Sequence, residues 1–249
     1  MIFYDGVSFP KEVRVLDIRR SILPSQSLST LSMEGRDGSI FYGKTSDSIE
    51  IEIDVIVTGS NPIELRKNIR DFAYLIDAKE PRPLILPDDP DKYIKTVLSG
   101  GTDLDTLYNA GQATLVMFAP DPYFYAINDD VFRINETGNF LLERKGNADS
   151  YPFIRIEGTS TTGSFTIATV DNSITYTGPL KAGETLIIDS NLMTAKIVGK
   201  NGDTIRSAIP NLGNLDFPVL APKLNIIALT THGGAKLTQY TVVSNSRWK

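Results

Sequence analysis

Between Ile49 and Val57 the chain alternates without a break. Ile49, Ile51, Ile53, Val55 and Val57 fall on one side; Glu50, Glu52 and Asp54 fall on the other. A period of two is that of a β-strand with one face buried and the other in water. At ~3.4 Å per residue such a strand reaches about 30 Å, beyond the usual strand length. It predicts the edge or wall of a scaffold rather than a small compact barrel.

One helix follows. Asn61 suits the N-cap, Pro62 the first helical position, and Glu64 stands three residues after the cap. Leu65, Ile69, Phe72, Ala73 and Ile76 then form one apolar stripe, with Arg66, Lys67, Arg70 and Asp71 mostly off it. The helix has to stop before Glu80-Pro81-Arg82-Pro83. No second helix is predicted.

The remainder reads as β-structure. Pro81, Pro83, Pro87 and Pro90 predict extended edge structure and turns. Tyr93–Leu98 and Ala113–Phe118 read as strands joined through Ser99-Gly100-Gly101. A polar stretch through Asn128-Asp129-Asp130 marks a boundary, giving domains 1–128 and 129–249. Beyond it, short strands are punctuated at Asp171-Asn172-Ser173, at Asn201-Gly202 and at Gly233-Gly234. That spacing predicts a β-sandwich. The fold class expected is mainly β with one α-helix.

Composition removes several kinds of chemistry. The chain has 249 residues and no cysteine, which excludes thiol catalysis and Cys-ligated metal sites. His232 is the single histidine, so no site needs two imidazoles. A formal net charge of −5 argues against a nucleic-acid reader. No apolar run approaches the ~18 residues of a membrane helix, and the start lacks the basic and apolar regions of a signal peptide. No membrane partner, metal or cofactor is expected.

Five motifs invite a functional reading. Gly38-Ser39-Ile40-Phe41-Tyr42-Gly43-Lys44-Thr45 matches the phosphate-binding loop formula, with Leu186-Ile187-Ile188-Asp189 resembling its acidic companion strand. That loop works by opening a helix, whereas here β-forming residues lead into the strand at Ile49. Glu50, Glu52 and Asp54 stand ~7 Å apart along one strand face, a separation compatible with an acid–base pair. Three like residues in a row more simply make a solvated face. Asp88, Asp89 and Asp91 lack the glycine and glutamate of a calcium loop and read as a turn. His232 lies in a turn without a nucleophile elbow to serve. Trp248, Tyr240 and Tyr176 would make a sugar-stacking platform if all three were exposed. None of these identifies a catalytic residue, and no enzyme is predicted.

The order of elements carries more than any motif. It runs from Phe3-Tyr4-Asp5-Gly6 through a turn at Gly35-Arg36-Asp37-Gly38 to the long strand, the helix, and Leu86-Pro87-Asp88-Asp89-Pro90-Asp91-Lys92-Tyr93. It continues through Phe118-Ala119-Pro120-Asp121-Pro122-Tyr123-Phe124-Tyr125 to Leu186-Ile187-Ile188-Asp189 and Asp216-Phe217-Pro218-Val219-Leu220. This resembles the distal tail protein (Dit) family of siphophage-type bacteriophages and prophages over nearly the whole chain. Two positions depart from it: Ala119 stands where relatives often have cysteine, and Lys223 where glycine commonly follows the proline.

The resemblance implies a ring-forming, tail-tube-like N-terminal domain and a galectin-like C-terminal β-sandwich. It implies a homohexamer joining the tail tube protein to a tail-tip hub protein of the tail-associated lysin type. Tape measure and receptor-binding proteins are its implied neighbours. DNA would pass through the central channel without specific binding, in a virion tail assembled in the bacterial cytoplasm. A channel for DNA should not hold phosphate, so Glu50, Glu52 and Asp54 are expected to face the lumen or its rim. The competing reading is a lectin-like protein attaching to host-wall or capsule sugars.

Overall fold

The computed structural model describes residues 1–100 and 104–249, which divide into two compact units. One comprises Met1–Ile127 with Lys249, the other Asn128–Trp248.

The first unit has one large antiparallel sheet, a separate two-stranded hairpin and a helix. Its strands are β1 (Phe3–Tyr4), β2 (Val7–Ser8), β3 (Val13–Arg20), β4 (Gln26–Ser32), β5 (Ser39–Ser46) and β6 (Ile49–Thr58). After α1 (Pro62–Ile76) come β7 (Arg82–Ile85), β8 (Lys92–Ser99), β9 (Leu104–Leu107), β10 (Ala110–Ala119) and β11 (Phe124–Ala126). The main path is β2-β1-β7-β8-β10-β6-β3.

The alternating segment is β6, and its inward row from Ile49 to Val57 is buried throughout. It is not an edge. β10 pairs with all ten of its residues and β3 covers its other side. The length serves a wall. Asn61 caps α1, its side chain accepting from the Ile63 and Glu64 amides at 3.1 and 3.0 Å, a contribution of about 1 kcal/mol. Glu64 closes the first turn by accepting from the Ser60 amide at 3.0 Å. Leu65, Phe72 and Ile76 of the predicted stripe are buried, with Phe72 edge-on to Phe9 at 5.0 Å; Ala73 is exposed.

The proline-rich stretch differs from expectation. Arg82–Ile85 lies between β1 and β8 rather than at an edge. Pro83 fits because β1 is only two residues long and the Pro83 carbonyl still accepts from the Asp5 amide at 2.9 Å. The expected link through Gly101 lies outside the described residues, and beyond it β9 forms an additional short strand on β10.

The second unit is a two-layer sandwich. A six-stranded sheet runs β12 (Val131–Ile134), β21 (Lys236–Val243), β14 (Phe153–Thr159), β17 (Thr185–Asp189), β18 (Thr194–Val198), β19 (Thr204–Ser207). A four-stranded sheet runs β13 (Gly138–Arg144), β20 (Lys223–His232), β15 (Ser164–Ala168), β16 (Ser173–Thr177). Alternate residues of both sheets, among them Ile154, Ile156, Phe165, Ile188, Ile227 and Val242, fill one core. Gly233-Gly234 carries the chain from one sheet to the other, because β20 and β21 belong to different layers. Both glycines have positive φ, 64° and 83°.

Lys223 accounts for its own departure from the family pattern. Its φ is 71°, the left-handed conformation that favours glycine. Asn225 offsets that strain by clamping the turn: it accepts from the Ala221 amide at 2.8 Å and donates to the Ala221 and Lys223 carbonyls at 2.9 and 3.2 Å. Ala119 is fully buried, in keeping with a packing position.

Candidate functional site

The phosphate-loop formula falls on the β4–β5 hairpin. Thr30 faces Phe41, Leu31 faces Ile40, and Lys44 pairs across from Leu28. No helix follows; the chain runs into β6. The main-chain amides needed to cradle phosphate are therefore in a strand ladder.

The aspartate turn has cationic partners from within and without: Arg20 of β3 reaches Asp88 at 2.8 Å. Lys92 Nζ reaches Asp89 at 2.5 Å and Asp91 at 3.2 Å. Hydrogen bonding from Lys92 holds the Asp91 carboxyl below its ordinary range. Among the described residues no cluster of His, Asp and Glu fits a metal ion. His232 ends β20, exposed and opposite Ser164. The aromatic platform does not form: Tyr176 and Tyr240 are both in the sandwich core, 1% and 0% exposed.

The acidic row survives in altered form. On the solvent side of the sheet, register places Arg19 of β3 beside Glu52, with Thr114 of β10 beside Asp54. The Arg19 guanidinium donates to Glu52 at 3.0 Å and to both Asp54 oxygens at 2.6 and 3.1 Å. Thr114 Oγ1 donates to Asp54 at 2.6 Å. Arg19 first, then Thr114, hold the Asp54 carboxyl below the usual carboxylate range, and hydrogen bonds to Asp54 and then Glu52 raise Arg19. Glu50 has no such partner among the described residues. The row is thus a charge network with one free carboxylate at its end. Sequence periodicity placed the acids on one face; it could not show that a β-bulge between Val15 and Asp17 would bring Arg19 over them.

This network makes stability depend on acid. A carboxyl whose folded pKa is depressed contributes stability above its unfolded value near ~3.9, and loses it as pH falls through the folded value. Wild-type protein is expected to lose more stability than Asp54→Asn as pH is lowered from about 5 to about 3. Urea denaturation across that window measures the difference.

Sequence reading missed the most exposed apolar element. The β4–β5 hairpin pairs with no other described strand. Leu28, Leu31, Phe41 and Tyr42 on it are 62%, 47%, 61% and 66% exposed. Its base is held by Ser27 Oγ donating to Asp47 at 2.9 Å and by Gln26 donating to Pro24 O at 2.9 Å. A lone two-stranded hairpin is marginal in water; register puts Leu28 and Phe41 on one face and Leu31 with Ile40 on the other, so both faces offer apolar side chains to a partner. A run of weakly alternating Ser, Thr, Leu and aromatic residues was the available signal.

Comparison with known proteins agrees with this architecture. Residues 13–119, which span β3 to β10, match the phage tail protein RIFT-related domain. The chain is 24% identical over 233 residues to the distal tail protein of Bacillus phage SPP1, covering 90% of this chain and 88% of the relative. The crystal structure of the SPP1 Dit protein, described as a paradigm of the hub adsorption apparatus in phages infecting Gram-positive bacteria, superposes with a TM-score of 0.80 at 17% identity. It covers 100% of this chain and 98% of that one. A chain of the phage P2 baseplate in its activated conformation matches at a TM-score of 0.51 and 10% identity, covering 96% and 91%.

The chain is thus built mainly of β-structure and carries, over residues 13–119, a match to the phage tail protein RIFT-related domain. More particularly, over nearly its whole length the chain is similar to the distal tail, or Dit, protein of phage SPP1.

Proposed function

We propose that six copies of this chain close into a homohexameric ring that joins the tail tube to the tail-tip hub and leaves a central channel for DNA. The first unit forms the ring and the galectin-like sandwich is carried by it. Tail tube protein, hub protein, tape measure and receptor-binding proteins are the partners, and the role is structural rather than catalytic.

The observation that carries this reading is the β4–β5 arm, apolar and exposed on a unit that gives it no strand partner. A second feature supports it. β3 closes one end of the main sheet path, eight residues long, with Leu16 44% exposed. Long uncovered edges are a liability that a neighbouring subunit removes. Arm and edge are different surfaces, so contact between them is head-to-tail, and such contacts close into rings when the rotation allows.

Glu50, Glu52 and Asp54 line the channel or its rim on this reading. Glu50 supplies free negative charge, while Arg19 fixes the other two in place. Without a surplus of basic groups on the wall, passing duplex releases few counterions and is not held.

Light scattering on the eluting protein, alone and with tail tube protein, followed by electron microscopy, tests the proposal. A six-fold ring with the row on its inner wall is the expected result. A protein that stays monomeric beside its tube partner overturns the ring; the row on the outer wall overturns the channel assignment.

A further inference from the structure

The outer face of the six-stranded sheet holds a groove of about 620 Å3. Its floor is β14, β17 and the end of β18; its rims are the turns at Ala182-Gly183 and Gly199–Gly202. Arg155 and Glu157, two apart on β14 and so on one face, project from the floor, and Lys200 comes from a rim. Thr159, Thr185 and Thr238 supply hydroxyls.

Three features set this groove apart from ordinary polar surface. Arg155, Glu157 and Lys200 have no ion pair or side-chain hydrogen bond among the described residues. Glu184 on the same rim, by contrast, is satisfied by Arg206 at 3.0 and 2.8 Å. The ladder between β14 and β21 shifts register at Glu157/Gly158, a bulge of the sort that re-aims side chains. A Cβ at Gly158 would stand 2.3 Å from the Lys236 carbonyl and 3.3 Å from Phe165 of the core, so the packing beneath the groove requires glycine there. Gly183, at φ 87°, leaves room for the Lys200 stem, whose Cε lies 2.5 Å from where a Cβ would be.

We propose that this groove binds a saccharide bearing one acidic group, a carboxylate or a phosphate. Arg155 and Lys200 take the acidic group through charge-assisted hydrogen bonds. Glu157, acceptor-only when ionised, takes sugar hydroxyl protons, and the threonines exchange donors and acceptors with the remaining hydroxyls. The volume suits a ligand of disaccharide size. A nucleic acid fits poorly, because Glu157 would face its phosphates. A protein segment fits poorly as well, because no large exposed apolar or aromatic side chain lines the groove to act as an anchor. This assignment uses neither the aromatic platform nor the ring, and it stands or falls on the sandwich alone.

Titration calorimetry of the full chain with four probes tests it: a glucuronate-containing disaccharide, a disaccharide phosphate, a neutral disaccharide and an oligoglutamate peptide. At least one acidic disaccharide is expected to bind about tenfold or more tighter than the neutral one. Arg155→Gln and Lys200→Ala should each weaken that binding by about tenfold or more, and Glu157→Gln by several-fold. Lys196→Ala, on the same sheet face but off the groove, should leave it unchanged. Circular dichroism checks that each variant is folded. No binding by either acidic disaccharide, binding indifferent to both Arg155→Gln and Lys200→Ala, or tighter binding of the peptide overturns the proposal.

Discussion

Replacing residues 27–45 by a short Gly-Ser linker is expected to reduce the proposed ring to single chains while leaving the fold intact. The two halves of that result come from one feature. Because the hairpin pairs with no other described strand, its loss removes no ladder from the main sheet. Circular dichroism and the thermal midpoint of the shortened chain should stay close to wild type. Because its leucines and aromatics stand in solvent, the proposed ring covers them with another subunit. Fully covering an aliphatic or aromatic side chain contributes roughly 1.5–3 kcal/mol. Losing several such contacts at every joint shifts association by orders of magnitude. The milder triple variant Leu28→Ser, Leu31→Ser, Phe41→Ser should give the same loss by light scattering. Rings that persist in both variants would show that the joint lies elsewhere.

The hairpin also shows where sequence reading reached its limit. β6 and α1 were legible because their determinants are local: five alternating apolar residues for one, Asn61, Pro62 and Glu64 for the other. The acidic row was placed on the correct face for the same reason. What the row does chemically depended on Arg19, thirty-odd positions away in sequence and adjacent only through pairing. The apolar run Ile40-Phe41-Tyr42 read as a strand, and it is one. Nothing in its composition says that no sheet will cover it. Likewise Gly233-Gly234 looks like any hairpin turn; that the chain changes layers there is set by the sandwich. Tyr176 and Tyr240 read more readily as packing residues than as a sugar platform, and both are in the core; a strand's period alone fixes which residues share a face but not which face is buried.

Arg144 is the clearest case of a residue whose role is invisible in sequence, and its replacement should have the largest effect on stability in the second unit. It ends β13 and is 3% exposed, although arginine is among the residues least often buried. Its Nε donates to Ala221 O at 2.8 Å and Nη1 to Lys145 O at 2.8 Å; Nη2 donates to Ala148 O at 2.5 Å and Leu220 O at 2.8 Å. Burial pushes the guanidinium's pKa down, opposed by Asp149 and Asp129. The fork of donors ties the segment after β13 to the segment before β20. Gly146, at φ 95°, leaves the space this needs, since a Cβ there would stand 2.9 Å from Nη1. Arg144→Met keeps much of the stem but removes every donor. Leu220 O still accepts from the Ser150 amide, and Ala221 O from Asn225. The Ala148 carbonyl loses the donor that Arg144 supplies, at about 1–3 kcal/mol for a buried group left unpaired, while the carbonyl of exposed Lys145 is open to water. Arg144→Lys should recover little, because one ammonium cannot reach four carbonyls spread around a planar fork. Urea denaturation of Arg144→Met is therefore expected to show a loss of about 2–5 kcal/mol, with Arg144→Lys closer to the Met variant than to wild type. A loss below about 1 kcal/mol, the scale of an ordinary surface substitution, would mean that the fork is not what joins these two segments.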